Sequence, residues 1–234
     1  AQVTIIQENF DTGTAGGALP AGWSSSTLGT HPTGWFTDDG TGSIAVSPQG
    51  GRYAISDDDD CNCNSSEDYL FSPTMDLTGY TSAEVSFLLW DGYGSSEFNL
   101  DISVDNGATF TNIYGPAPDN FSWEPVTVDL TPYVGNAQVV LRFHHDDTGA
   151  WAWYVGIDDV LVTGTPPGLD IAANGFTTPN SPFLCTPSSD LEVEFENVNN
   201  VVINDFEVEW AINGIAQGGA AYTGPALNTN DVAT

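Results

Sequence analysis

"FNLDISVDNGATFTNIY", residues 98–114, decides the fold class. Phe98, Leu100, Ile102 and Val104 alternate with polar residues, the period of a strand that buries one face. Asn106-Gly107 follows, a dipeptide that readily takes the two positive φ angles of a tight turn. The stretch therefore predicts a β-hairpin, with Asp105 bonding local amides and Phe110 returning to the core.

Working outward, the same signals recur along the chain. "AEVSFLLW" (83–90) reads as a buried strand. "EPVTVDL" (124–130), "AQVVLRFHH" (137–145), "WYVGIDDVLVTG" (153–164), "DLEVEFEN" (190–197) and "DFEVEWAIN" (205–213) read as further strands, separated by Gly, Pro, Asn and Asp clusters. No long segment carries apolar residues at i, i+3, i+4 and i+7, the helical period. The fold class is all-β, an antiparallel sandwich. "TGTPPGLD" (163–170) marks a boundary: residues 1–165 hold 23 acids and both arginines, whereas residues 166–234 hold nine acids and no base. The second part is expected to be an incomplete sandwich of about four strands, with further domains of the polypeptide beyond residue 234.

Across 234 residues there are 32 acids against two bases, Arg52 and Arg142, a formal charge of −30. Nucleic acid and anionic lipid are excluded as partners, because both need a basic footprint. Aromatic residues make up 12% of the chain, enough for a folded core rather than a disordered acidic tail. No apolar run reaches the roughly 18–20 residues that span a bilayer, so membrane insertion is not expected. "AQVTIIQENF" (1–10) reads as the start of a mature secreted chain.

So many carboxylates with so few bases pose a chemical question. Asp158 and Asp159 lie inside an apolar strand, and one of them must face inward or against a loop. A buried carboxylate needs a partner. Calcium, a hard cation that takes six to eight oxygens, is the partner expected. The same reasoning covers Glu8 and Asp11 after the first strand, and at least one aspartate of the run Asp57–Asp60, which lacks EF-hand spacing. His144 and His145 allow a zinc reading, but adjacent strand residues point to opposite faces and cannot easily share an ion. Cys61-Asn62-Cys63 has metal, redox and disulfide readings; a small-ring disulfide in an oxidising compartment is favoured. Cys185 is left to pair elsewhere. Ser103-x-Asp105-x-Gly107-x-Thr109-Phe110 has Asp-box spacing, read as structural. No nucleophile elbow, His-Glu-x-x-His or phosphate loop occurs. Glycosidase chemistry stays open only in that carboxylates are plentiful.

The order of "ENFDTG…LPAGW" (8–23), "GRYAISDDD" (51–59), "DYLFSPTMDLTGYTSAEVSFLLW" (68–90), "LDISVDNGATFTNIY" (100–114), "WEPVTVDLTPYVGNAQVVLRF" (123–143) and "WYVGIDDVLV" (153–162) resembles the cleaved-adhesin, or choice-of-anchor J, domains of secreted Bacteroidota surface proteins. The resemblance covers nearly all of residues 1–165. It implies a MAM-like jelly roll with structural calcium and a role in attachment. By position it assigns calcium ligands to Glu8, Asp11, the head of the 57–60 run (Asp57, Asp58) and Asp158, with Asp159 beside it. Residues 166–234 look like the start of an adhesion-type immunoglobulin-like module. Such modules occur in surface proteins exported by the type IX pathway, gliding adhesins among them.

The expectation is a non-enzymatic, secreted or cell-surface adhesin module that contacts a glycan or surface protein. The alternative is a carbohydrate-binding accessory domain of a secreted hydrolase or protease. Trp35 in "HPTGWFTDDG" and Trp123 in "DNFSWEP" have polar neighbours and are the expected exposed ligand contacts. Trp23 and Trp90 are expected between the sheets.

Overall fold

The computed structural model describes residues 2–14, 17–40, 47–48, 50–92, 96–149, 152–168, 171–178, 192–198 and 201–234, the side chains of Asp60 and Cys61 excepted. Trp151 and Cys185 lie outside the described residues. The chain divides into two compact units, Ala1–Pro166 and Pro167–Thr234.

In chain order the first unit has β1 (Val3–Glu8), β2 (Ser24–Ser26), β3 (Phe36–Asp38), β4 (Tyr53–Asp57), a four-residue helical turn α1 (Asp58–Cys61), β5 (Asp68–Phe71), β6 (Ser82–Asp91), β7 (Glu97–Ser103), β8 (Thr111–Tyr114), β9 (Glu124–Asp129), β10 (Val140–Asp146) and β11 (Tyr154–Thr165). One sheet runs β3-β4-β11-β6-β9, with β1 added against β11; the other runs β2-β5-β10-β7-β8. Every pairing is antiparallel. The result is a two-sheet, nearly all-β sandwich consistent with a jelly roll.

Alternation builds the core. Along β6, Ala83, Val85, Phe87 and Leu89 are buried while Ser82, Glu84, Ser86, Leu88 and Trp90 are half-buried on the other face. The inward set packs with Leu70 of β5, Phe98, Leu100 and Ile102 of β7, and Leu141 and Phe143 of β10. Phe87 and Phe143 meet edge to face at 5.3 Å. Each fully buried side chain of this size contributes roughly 1.5–3 kcal/mol.

The 98–114 hairpin forms as its sequence predicts. Asn106 and Gly107 have φ of 58° and 85°. Asp105 accepts the Thr109 amide at 2.8 Å, the Thr109 hydroxyl at 2.6 Å and the Ser103 hydroxyl at 2.6 Å. Two details differ. Val104 lies past the end of β7 and is 42% exposed. Phe110 does not re-enter the core; it is half-buried and packs against Phe71 at 5.9 Å. The ring lies instead on the outer face of the sheet, with the Arg142 guanidinium 4.1 Å from its centroid.

β11 has one irregularity that matters below. Its residues 154–157 pair with β4, and its residues 160–164 pair with β1 along the same edge. Asp158-Asp159 occupies the changeover. There the register to β6 shifts and Asp159 takes a φ of 50°, forming a β-bulge.

β6 ends on Asp91, which points inward and is fully buried. Its backbone amide donates to Asn120 Oδ1 at 2.9 Å, and the Ser96 hydroxyl donates to its carboxylate. Burial pushes the carboxyl up to about 6, against the Ser96 hydrogen bond and with the nearby Asp119 charge. A raised carboxyl contributes stability that is present below its unfolded pKa and lost as pH rises through the folded one. Between pH 4 and 7 this group alone therefore lowers stability by roughly 2–3 kcal/mol. Asp91→Asn should flatten that fall in urea unfolding curves; parallel pH profiles for variant and parent would refute it.

The second unit has two small antiparallel sheets. One is β12 (Ile171–Thr178), β13 (Glu192–Asn197) and the short strand at Val232–Ala233; the other is a hairpin of Glu207–Ile212 and Ile215–Ala221 turning on Asn213-Gly214. An open apolar cleft of about 780 Å³ is lined by Phe195, Phe206, Val208, Trp210 and Tyr222. Among the described residues these strands do not close a sandwich.

Candidate functional site

The bulge on β11 creates a notch where β1 ends and β4 begins. The chain leaves β1 through Phe10, which has a φ of 56°, and Glu8 turns back to accept the Phe10 amide at 2.8 Å. Asp11 then reaches across the notch. Its Oδ1 accepts the Arg52 backbone amide at 2.8 Å, and Asn9 Nδ2 donates to its Oδ2 at 2.8 Å. A Cβ on Gly51 would sit 2.0 Å from Asp11 Oδ1, so only glycine admits the carboxylate there. Asp158 faces the notch from β11, buried to 1% exposure, with the Ser47 hydroxyl and the Asp159 amide donating to it. Burial raises its pKa to about 7 despite those two hydrogen bonds, and the charges of Asp159 and Asp11 add to the rise.

The notch thus brings Asp11, Asp158 and Asp159 into one another's field. Arg52 offers no relief, since its guanidinium pairs with Asp39 at 3.9 Å. The donors are all oxygen, which suits a hard cation. Among the described residues, however, no three His, Cys, Asp or Glu side chains converge closely enough to hold a metal. Any cation here would need backbone carbonyls or water to complete its shell.

Asp57 and Asp58 lie elsewhere, at the far end of β4, where Asp57 pairs with Tyr154. The six acids singled out in the sequence thus occupy two places. The acidic run survives its own repulsion by using backbone amides. Asp57 Oδ1 accepts the Asp59 amide at 2.9 Å, Asp58 Oδ2 accepts the Ala152 amide at 3.0 Å, and the Asp58 amide donates to the Trp153 carbonyl at 2.9 Å. Burial still lifts Asp58 to about 6, against the Ala152 hydrogen bond and with the charges of Asp147, Asp57 and Asp59. Asp147 is a loop clamp: it accepts the Ser65 amide at 3.0 Å, the Ser66 hydroxyl at 2.7 Å and the Gly149 amide at 2.8 Å. Cys63 is disulfide-bonded. The side chain of Cys61, its expected partner, lies outside the described residues. His144 and His145 do point to opposite faces, His145 fully buried and His144 half-buried.

The tryptophans sort differently from expectation. Trp35 is 1% exposed. Its amide donates to Ser25 Oγ at 2.8 Å and its Nε1 donates to the Asp68 carbonyl at 3.0 Å, so its polar neighbours fasten it inside rather than wet it. The ring is therefore not presented to a ligand, contrary to the expectation from its polar neighbours. Trp23 is in the interlayer core, as expected, but Trp90 is not. Trp90 stands on the outer face of the first sheet with Trp123 and Tyr154, over buried Phe36, Tyr53 and Ile55. Trp123 meets Tyr53 at 5.3 Å and Trp90 at 6.1 Å, both edge to face. Trp153 extends this ledge, 6.1 Å from Tyr154 and 40% exposed, with a φ of 59°. That backbone conformation is costly for a bulky residue and persists only where the surroundings impose it. Sequence parity held the signal for Trp90: it is out of step with Val85, Phe87 and Leu89. Nothing in the sequence marked Trp153 as the exposed member.

Neither a protein-family model nor a curated protein matches the sequence. Solved structures do. The K3 cleaved adhesin domain of Lys-gingipain from Porphyromonas gingivalis is 18% identical, with a TM-score of 0.50 over 70% of this chain and 99% of that domain. The K1 domain of the same protein is also 18% identical, at 0.49 over 71% and 100%. A xylan-binding domain from Paenibacillus barcinonensis is 12% identical, at 0.49 over 72% and 98%. At these identities the likeness is one of fold. No helix is long and apolar enough to cross a membrane among the described residues.

Proposed function

We propose that this chain is a non-enzymatic binding module of an extracellular surface protein, attaching to a glycan or protein ligand. The carrying observation is the aromatic ledge of Trp90, Trp123, Trp153 and Tyr154, whose outermost ring is exposed on a strained backbone. Flat aromatic faces with one wet side suit sugars and protein side chains alike. In this reading calcium sits at the notch beside Asp11 and Asp158, with backbone carbonyls and water completing its shell, and offsets the charge gathered there. Further domains and type IX export belong to the same proposal; a carbohydrate-binding module of a secreted hydrolase would use the same ledge.

A glycan array and a cell-attachment assay in calcium test the reading. Trp153→Ala should weaken binding at least about tenfold, or 1.4 kcal/mol, while leaving the melting temperature nearly unchanged. Trp123→Ala should weaken it too, with some loss of stability from its contact with Tyr53. If Trp153→Ala folds normally and binds as the parent does, the ledge is not the contact. Release of a hydrolysis product by the purified chain would overturn the non-enzymatic reading.

A further inference from the structure

The dipeptide Asn-Gly occurs at 106–107, 174–175 and 213–214. Its chemistry is self-contained. The glycine amide nitrogen can attack the asparagine Cγ, because no side chain on the glycine shields it. A new N–Cγ bond closes a succinimide, the Cγ–Nδ2 bond breaks, and ammonia leaves with the proton that the glycine amide gives up. Water then opens the ring on either side, giving aspartate or isoaspartate. The net change consumes one water and releases one ammonia. The attack needs a carboxamide free to swing over its own backbone and a glycine amide with no other partner.

The fold treats the three sites differently. Asn106 is held throughout. Its backbone amide donates to the Gln138 carbonyl at 3.0 Å, and its Oδ1 accepts the Thr74 hydroxyl at 2.9 Å. The Gly107 amide, the attacking group, donates to Ser103 Oγ at 2.8 Å, so the Asp-box turn shields its own Asn-Gly. Asn174 lies within β12. Its Nδ2 donates to Glu194 Oε1 at 3.1 Å and to Glu196 Oε2 at 3.3 Å, which ties the leaving nitrogen across to β13. Asn213 opens the turn of the exposed hairpin, with φ of 50° at Asn213 and 80° at Gly214. Among the described residues no hydrogen bond engages its carboxamide or the Gly214 amide. A Cβ on Gly214 would meet no atom within 4 Å, so the turn is open to water. Ile212 and Ile215, which close it, are 57% and 68% exposed. A two-stranded ribbon this wet is marginal by itself and opens locally at little cost.

We propose that Asn213 is a site of spontaneous modification, converted to aspartate and isoaspartate through attack by the Gly214 amide, while the fold protects Asn106 and Asn174. The consequence is structural. Isoaspartate routes the main chain through Cγ and adds a methylene to a two-residue turn. Either product adds a negative charge to residues 166–234, which already hold nine acids and no base. The Ile212–Ile215 pair then loses its register. The same hairpin supplies Val208 and Trp210 to the wall of the apolar cleft, so slackening it exposes that cleft. Asn213 thus sets an irreversible timer on the second unit.

The test ages the whole chain in warm, mildly alkaline buffer, because the glycine amide must give up its proton. Cleavage after glutamate places the three sites on separate peptides, 98–124, 125–192 and 210–234. Mass spectrometry reads the exchange of NH2 for OH, and enzymatic methyl labelling reads isoaspartate. Asn213 should convert at least about tenfold faster than Asn106 or Asn174. In urea, where no fold protects them, the three rates should converge. Asn213→Gly keeps a residue that accepts positive φ but removes the carboxamide. Backbone amide exchange across 207–221 should rise in the aged parent and stay unchanged in the aged variant. Equal native rates at the three sites, or an order of rates that urea leaves unchanged, would overturn the assignment. So would an intact Asn213 after the time in which the unfolded chain converts. Equal exchange across 207–221 in aged parent and aged variant would refute the timer.

Discussion

Replacing Trp35 by alanine is expected to lower the stability of the first unit by about 3–5 kcal/mol, the cost of deleting a fully buried aromatic ring. The ring is 1% exposed, and its Nε1 holds the Asp68 carbonyl at 3.0 Å, so truncation opens a cavity and strips that carbonyl of a donor. For a unit of this size that is a fall of roughly 6–20 °C in melting temperature. The comparison with Trp153→Ala is diagnostic, since that variant is expected to lose binding and keep its melt. Thermal unfolding of the two proteins side by side decides the matter. A Trp35→Ala protein that melts within a degree or two of the parent would contradict the burial.

The second large effect concerns calcium. Removing a ligand that binds only the folded state costs about 2.7 kcal/mol when it was present at a hundred times its Kd, roughly 5–11 °C here. Chelation should produce a fall of that order, and magnesium should restore it poorly, because magnesium demands octahedral geometry. Asp158→Asn gives the sharper test. Buried Asp158 is raised to about 7 by desolvation and by Asp159 and Asp11. Its ionised form therefore costs stability at pH 8 unless a cation offsets it. The variant should be more stable than the parent in chelator and less stable than the parent in calcium. Asp11→Ala should lose the calcium response. Asp147→Ala should be destabilised equally in both, since its carboxylate clamps residues 65, 66 and 149. An unchanged melt in excess chelator, after confirmed metal removal, would sink the calcium proposal.

Much of the sandwich was legible because alternation is local. Phe98, Leu100 and Ile102 face the core as their spacing predicts, and Asn106-Gly107 turns the chain where it should. The convergence of Asp11 with Asp158 and Asp159 was legible only in part. The bulge depends on which two strands share an edge of β11, and that is set by pairing across the whole unit. Trp35 and Trp90 were misplaced for a related reason. A loop tryptophan among polar residues can be wet or can be pinned inside by those residues, and only tertiary context separates the two. For Trp90 the parity of β6 holds the answer, but a strand apolar on both faces reads as continuously buried, which hides it.

The pairing of β1 with β11 also governs when the unit can fold. Residues 3–8 are synthesised well before their partner, residues 160–164. At about 5–20 residues per second, the first strand waits roughly 8–30 s for it. Until then the sheet lacks the strand that joins β4 to β6, both of which have a bare edge, and the notch lacks one wall. Such non-local closure is slow. A chain with a formal charge of −30 is well suited to the wait, because mutual repulsion between copies opposes aggregation while those edges are bare.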